Sequence, residues 1–283
     1  MKNIILSAFA DEYSADFDLQ LAMLAENGIR YIEPRHLFGK NISKLTADEV
    51  KTAAAKLRAS GIGVSSLGSP LGKVSLDASW EEHLDVAKRL METACAFETR
   101  RVRMFSFYLP EGTTREECRG EVLDRLNTLL DLADSYGVTL CHENEAKIYG
   151  ESPESCFDLL TAFGGRLKQV FDMGNFVLGQ YKPYPEAYTL LKDYISYFHI
   201  KDSLYRGAIV PPGLGEASVA EILADFSSTA SAPCFATLEP HLETFDGLNR
   251  LTGQTFENPY RFASKEHAFL EAVRRMKEIL SEE

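Results

Sequence analysis

Long hydrophobic runs are missing from this chain, and no apolar stretch approaches the roughly 20 residues a membrane-spanning helix needs. The opening MKNIILSAFADE has a short apolar run that Asp11 and Glu12 end at once, so no secretory signal is expected and a cytoplasmic location is. Cysteine is scarce: Cys95, Cys118, Cys141, Cys156 and Cys234 are odd in number and without CxxC spacing, which argues against a disulfide framework and against a thiolate metal site. Positive charge is also short, with 30 Lys and Arg against 42 Asp and Glu and a net charge of -12. Such a field gives no footprint for nucleic acid. A GxGxxG motif after the first β-type run is lacking too, which speaks against a dinucleotide fold.

What remains is ample for one large core. In 283 residues, 45% of them hydrophobic, short β-type runs alternate with longer amphipathic runs eight times. The strands are expected at 4 to 9, 31 to 37, 63 to 69, 101 to 109, 138 to 145, 167 to 173, 195 to 202 and 234 to 241. Helices between them carry start and stop signals: DFDLQLAMLAENG closes on Gly28, TADEVKTAAAKLRASG runs from Thr46 to Gly61, and Pro153 follows an N-cap Ser152. Eight such units predict a single α/β domain over residues 1–283, a (β/α)8 TIM barrel, with a doubly wound open sheet as the alternative. One long gap, 245 to 262, carries Phe245, Phe256, Tyr260 and Phe262 beside Asn249, Arg250 and Arg261, and is expected to form an ordered rim or lid on the catalytic face.

In a barrel of this kind the active site sits at the C-terminal ends of the strands. Four strands end in ligand types, with Glu143 in HENE, Asp172 in DMGN, His199 in HIKD and Glu239 in LEPH. The period of two turns Thr139, Cys141 and Glu143 toward the axis, puts Glu239 on the face of Phe235 and Thr237, and leaves Phe198 and Ile200 flanking an inward His199. Three carboxylates and an imidazole converging there would crowd negative charge that a cation relieves. The oxygen-rich set suits Mn2+, Mg2+, Co2+ or Zn2+. Separate salt bridges or loop caps are the alternative for each residue.

With these motifs the sequence resembles the xylose isomerase-like TIM-barrel family, the sugar phosphate isomerases and epimerases that share a family with AP endonuclease 2-type enzymes. The resemblance runs from the first strand to the terminal helix SKEHAFLEAVRRMKEIL. It implies one divalent metal ion held by Glu143, Asp172, His199 and Glu239, with Glu143 and Glu239 also the catalytic acid/base pair. Asn175 stands where the ketose epimerases place a substrate-binding His, and Arg206 near their substrate-binding Arg. Tyr149 stands where they carry a Glu over the substrate, a departure that points away from free-ketose epimerisation.

Further substrate contacts are expected from parity. Glu33 and Arg35 share the inward face of the second strand, as a hydroxyl clamp or an internal salt bridge, while Lys201 and His241 follow His199 and Glu239 in phase. His142 has the outward parity of a packing histidine, and the glycines of PPGLGE (211 to 216) read as turn geometry. The function expected is a metal-dependent isomerase or epimerase moving a proton next to the carbonyl of a small carbohydrate substrate. A lyase or dehydratase of inosose or 3-keto-glycoside type starts with the same abstraction, and a sugar-binding barrel without catalysis is the reading of another class. No nucleic-acid or membrane partner is expected, and a homo-oligomer is left open.

Overall fold

Pairing begins at the first strand. In the computed structural model, which describes residues 1–242 and 260–281, β1 (Ile4–Ala8) lies parallel to the last strand, β8 (Cys234–Leu238). From β8 the sheet continues through β7 (Ile195–Ile200), β6 (Lys168–Asp172), β5 (Thr139–Glu143) and β4 (Arg101–Met104) to β3, which runs as Gly63–Val64 and then Leu67–Leu71. The remaining gap is filled by β2 (Tyr31–Ile32): it pairs parallel with Gly63–Val64, and the Glu33 N–H donates to the Ala8 carbonyl of β1 at 3.0 Å. All eight strands point one way, as the alternation predicts.

The helices follow their sequence signals. Asp16 caps α1 (Phe17–Glu26), a Thr46–Glu49 capping box starts α2 (Ala47–Ser60), and Ser79 caps α3 (Trp80–Ala96). Thr114 and Glu117 form a second box on α4 (Arg115–Tyr136), and Ser152 with Pro153 opens α5 (Pro153–Ala162). After α6 (Met173–Leu178), α7 (Tyr188–Leu191) and α8 (Val219–Thr229), the terminal α9 (Lys265–Ser281) buries Ala268, Phe269, Ala272, Val273, Met276 and Ile279, the three-and-four spacing of one helical face.

Several strands are shorter than their hydrophobic runs. The second stops at Ile32 because Pro34 has no N–H to give a ladder, and the chain turns into a hairpin of His36–Leu37 with Lys40–Asn41. The fourth stops at Met104, and Phe107 beyond it adopts a φ of 67°, which a strand does not accommodate. The rim expected over 245 to 262 lies outside the described residues except for its last three, of which Phe262 packs against the core.

Register carries the ligand types to one level. His199 on β7 pairs directly with Asp172 on β6, and the Glu239 N–H extends the ladder to Ile200 O at 3.1 Å. Asp172 then caps α6, its Oδ1 accepting from Asn175 N at 2.7 Å. Gly174 is required there, since a Cβ would fall 2.6 Å from the Lys201 carbonyl oxygen.

Candidate metal centre

Glu143, Asp172, His199 and Glu239 are all buried, and one ligand-type atom of each lies within 4.8 Å of the others. The imidazole is the hub. His199 Nδ1 lies 3.1 Å from Glu143 Oε1 and 3.2 Å from Glu239 Oε2, while Nε2 faces away toward Glu33 Oε2 at 3.3 Å. Lys201 Nζ donates to Asp172 Oδ2 at 2.9 Å and to Asn175 Oδ1 at 3.0 Å, with Glu239 Oε2 at 3.4 Å. Above this floor opens a cleft of about 780 Å³ whose lining includes Arg35, Asn175, Lys201, Glu239 and His241.

A guanidinium holds the outer oxygen of each glutamate. Arg103 Nη1 donates to Glu143 Oε2 at 3.0 Å, and Arg35 Nη1 donates to Glu239 Oε1 at 2.9 Å. Both cations lie over the ring of Phe9, at 4.4 Å for Arg35 and 5.0 Å for Arg103, and the edge of His199 meets the same ring. Burial pushes Asp172 up to about 7 with Lys201 opposing it, and pushes Glu12 up to about 8 with Arg35 opposing it. Burial acts upward on Glu143 as well, yet His199 and Arg103 outweigh it and hold that carboxyl down at about 2. His199 moves well above its ordinary range because Glu143 and Glu33 overcome the burial that opposes its charge.

The family model described as "Xylose isomerase-like TIM barrel" matches residues 21–278. The chain belongs to the xylose isomerase-like TIM barrel family. Among solved structures, this family member is similar to the IolI protein with a bound zinc atom, at 17% identity, a TM-score of 0.74, and coverage of 99% of this chain and 98% of that one. It is similar to the probable 3-DHS dehydratase AsbF of Bacillus anthracis at 17% identity and a TM-score of 0.72, covering 98% and 99%. The D-psicose 3-epimerase of Clostridium cellulolyticum H10, solved with D-tagatose, aligns at 12% identity and 0.71, covering 98% of each chain. No curated protein matches.

The donor set of this family member fits a divalent ion. Among the described residues, six carboxyl groups (Asp11, Glu12, Glu33, Glu143, Asp172 and Glu239) share the centre with three permanent cations, Arg35, Arg103 and Lys201. Two of the six, Glu12 and Asp172, are pushed toward protonation at neutral pH, as unmatched buried negative charge requires. Three carboxylates and an imidazole at one point suit Mn2+, Mg2+, Co2+ or Zn2+ chemically.

The expected substrate contacts divide. Asn175, Lys201 and His241 line the cleft, and Asn175 Nδ2 also donates to Asn144 O at 2.9 Å. Glu33 does not reach the cleft: it is fully buried behind His199, and its other oxygen accepts from Tyr197 OH at 2.9 Å. Arg206 is exposed near the tip of a hairpin formed by Asp202–Ser203 and Ile209–Val210, where Gly207 and Ile209 take the cleft side instead. That hairpin is set by Asp202, whose carboxylate accepts from the backbone N–H groups of Ser203, Gly213, Gly215 and Ala217. A Cβ at Gly215 would fall 2.1 Å from Asp202 Oδ1, so the PPGLGE glycines serve a turn. His142 packs outward as its parity predicts, against Ser106 Oγ at 2.9 Å.

Arg103, Phe9, Asp11 and Glu12 escaped the sequence reading. Arg101 and Arg103 alternate in a strand otherwise apolar, a pattern that marks an axial cation. The Asp11-Glu12 pair stands just beyond the end of β1, on the catalytic face, and two acids directly after an apolar strand are the signal that marks it.

Proposed function

We propose that this protein is a divalent-metal-dependent isomerase or epimerase that moves a proton next to the carbonyl of a small keto-sugar or polyol-derived substrate in the cytoplasm. The observation that carries this reading is the approach of Glu143 and Glu239 from two strands to one imidazole nitrogen, His199 Nδ1, at 3.1 and 3.2 Å. Glu143, Asp172, His199 and Glu239 would hold the ion. An ion there supplies a Lewis acid that stabilises negative charge on the substrate's carbonyl oxygen. Glu239, which lines the cleft, takes the α-proton in one direction, and Glu143 returns it from the other side. Lys201, Asn175 and His241 present donors and acceptors to the substrate's hydroxyl groups from the cleft wall.

A lyase or dehydratase is the second reading, and Tyr149 favours it. At the position where ketose epimerases carry a Glu, this chain has a buried tyrosine whose OH donates to Asp158 Oδ2 at 2.8 Å and turns from the cleft. The neighbours support both readings, one being an epimerase and another a probable dehydratase. A metal-replete screen of keto-sugars, inososes and 3-keto-glycosides in deuterium oxide separates them. Solvent deuterium at an α-carbon of otherwise intact sugar supports isomerisation, and an unsaturated product supports elimination. The absence of both products, in protein carrying bound metal, overturns the proton-transfer function.

A further inference from the structure

We infer that Glu33 is a positioning residue for the metal centre: its carboxylate accepts a hydrogen bond from the Nε2–H of His199, which keeps the ring proton on Nε2 and leaves the Nδ1 lone pair for the ion. The inference rests on the metal reading above and assigns to Glu33 a task other than touching substrate. A neutral imidazole carries its proton on one nitrogen only, and the acceptor facing that nitrogen decides which. Here Nδ1 faces the two glutamates of the ligand set, and the acceptor within reach of Nε2 is Glu33 Oε2 at 3.3 Å.

Several features keep that acceptor in place. Glu33 is 0% exposed, so its carboxylate has no water to turn toward. Its backbone N–H is tied to Ala8 O, and its Oε1 accepts from Tyr197 OH at 2.9 Å. Tyr197 is itself buried and lies 3.0 Å from Ser66 Oγ. The imidazole plane is fixed by the edges of two rings, Phe9 at 5.0 Å and Tyr197 at 5.5 Å between centroids. A ligand histidine backed by a carboxylate is also a more basic ligand, because the carboxylate stabilises the positive charge the ring gains on binding an ion.

The test uses the full chain, stripped with chelator and titrated calorimetrically with Zn2+. Glu33→Gln should weaken Zn2+ binding roughly 10- to 100-fold, and Tyr197→Phe, which removes one donor to Glu33, about 2- to 10-fold. In the Zn2+-loaded wild type, 15N NMR should show His199 with its proton on Nε2. Wild-type Zn2+ affinity in Glu33→Gln, or a His199 protonated on Nδ1, overturns the inference. Should Glu33→Gln fail to fold, Tyr197→Phe and the NMR signature decide, and unchanged affinity in Tyr197→Phe counts against it. A wild-type protein that takes up no Zn2+ overturns the metal reading and this inference with it, whereas Zn2+ bound equally by wild type and Glu33→Gln sinks the inference alone.

Discussion

Glu143 and Glu239 meet the same imidazole, yet the ground behind them differs. Glu143 is backed by Arg103, whose remaining donors go to the carbonyls of Ser69 and Gly68 in β3, and this pair is almost sealed, with side chains 2% and 7% exposed. Glu239 is backed by Arg35, which is 16% exposed and divides itself among Asp11, Glu12 and Glu239. His241, with a left-handed φ of 44°, adds a second neighbour to the outer oxygen of Glu239, Oε1, at 3.3 Å. On one side the outer glutamate oxygen meets a single guanidinium that the sheet holds in place. The other is a carboxyl-rich shelf open to the cleft, where a substrate can compete for partners. Strain at His241 belongs to this open side, in keeping with the tendency of unfavourable backbone to gather where ligands bind.

The largest effect should separate the two glutamates as proton carriers. Glu239→Gln keeps an oxygen for the ion but cannot relay a proton, so turnover should fall by roughly 10²- to 10⁴-fold while metal affinity drops only partly. Glu143→Gln should lose as much turnover, and more metal affinity, because Arg103 is then left facing an amide inside a sealed site. Steady-state kinetics beside metal titration checks this. Retained α-proton exchange in Glu239→Gln would remove that residue from the acid/base pair and erase the functional half of the comparison.

A second, smaller effect separates the two arginines. Arg103→Met breaks a buried pair and leaves Glu143 with His199 as its remaining charged partner, which should cost about 3–5 kcal/mol in denaturant unfolding of the metal-free protein. Arg35→Met leaves a partly hydrated shelf and should cost about 1–2 kcal/mol. Equal losses would mean that the exposure difference between the two sides has no energetic weight.

The sequence made the inner side more legible than the outer one. Strand parity alone turns Glu143 and His199 inward, and the strand ends bring Asp172 and Glu239 to the same level, because a parallel barrel fixes both face and height for a residue at the end of a strand. Parity likewise turned Glu33 inward but could not tell which neighbour it meets, since that depends on the reach of His199 from a strand 166 positions away. The outer side is built from residues beyond the strands: Asp11 and Glu12 in a 3-10 turn, and Arg35 after Pro34 has ended its strand. Period carries no information for Asp11 and Glu12, whereas it does turn Arg35 inward, where the salt bridge to Glu239 forms. Arg206 illustrates the same limit, because its direction is decided by the four N–H groups that hold Asp202 rather than by any pattern near 206.

The smallest effect expected is a difference in pH response between the two sides in the metal-free protein. Glu143 is held at about 2 in the fold against an ordinary 4.5, so its contribution to stability is present above pH 4.5 and is lost as pH falls toward 2. Glu12 has the opposite sign. With its carboxyl at about 8 in the fold against 4.5, the folded state binds its proton more tightly, and that stabilisation is complete below pH 4.5 and is lost as pH rises through 8. Glu12→Gln removes the titration but keeps the shape, so urea unfolding of this variant should lose less stability than wild type between pH 5 and 8. Below pH 4.5, where Glu143 governs, the two proteins should run parallel. A Glu12→Gln profile that tracks wild type across pH 5 to 8 would mean that the Arg35 shelf holds Glu12 fully ionised, making the open side as well matched in charge as the sealed one and removing the electrostatic half of the contrast.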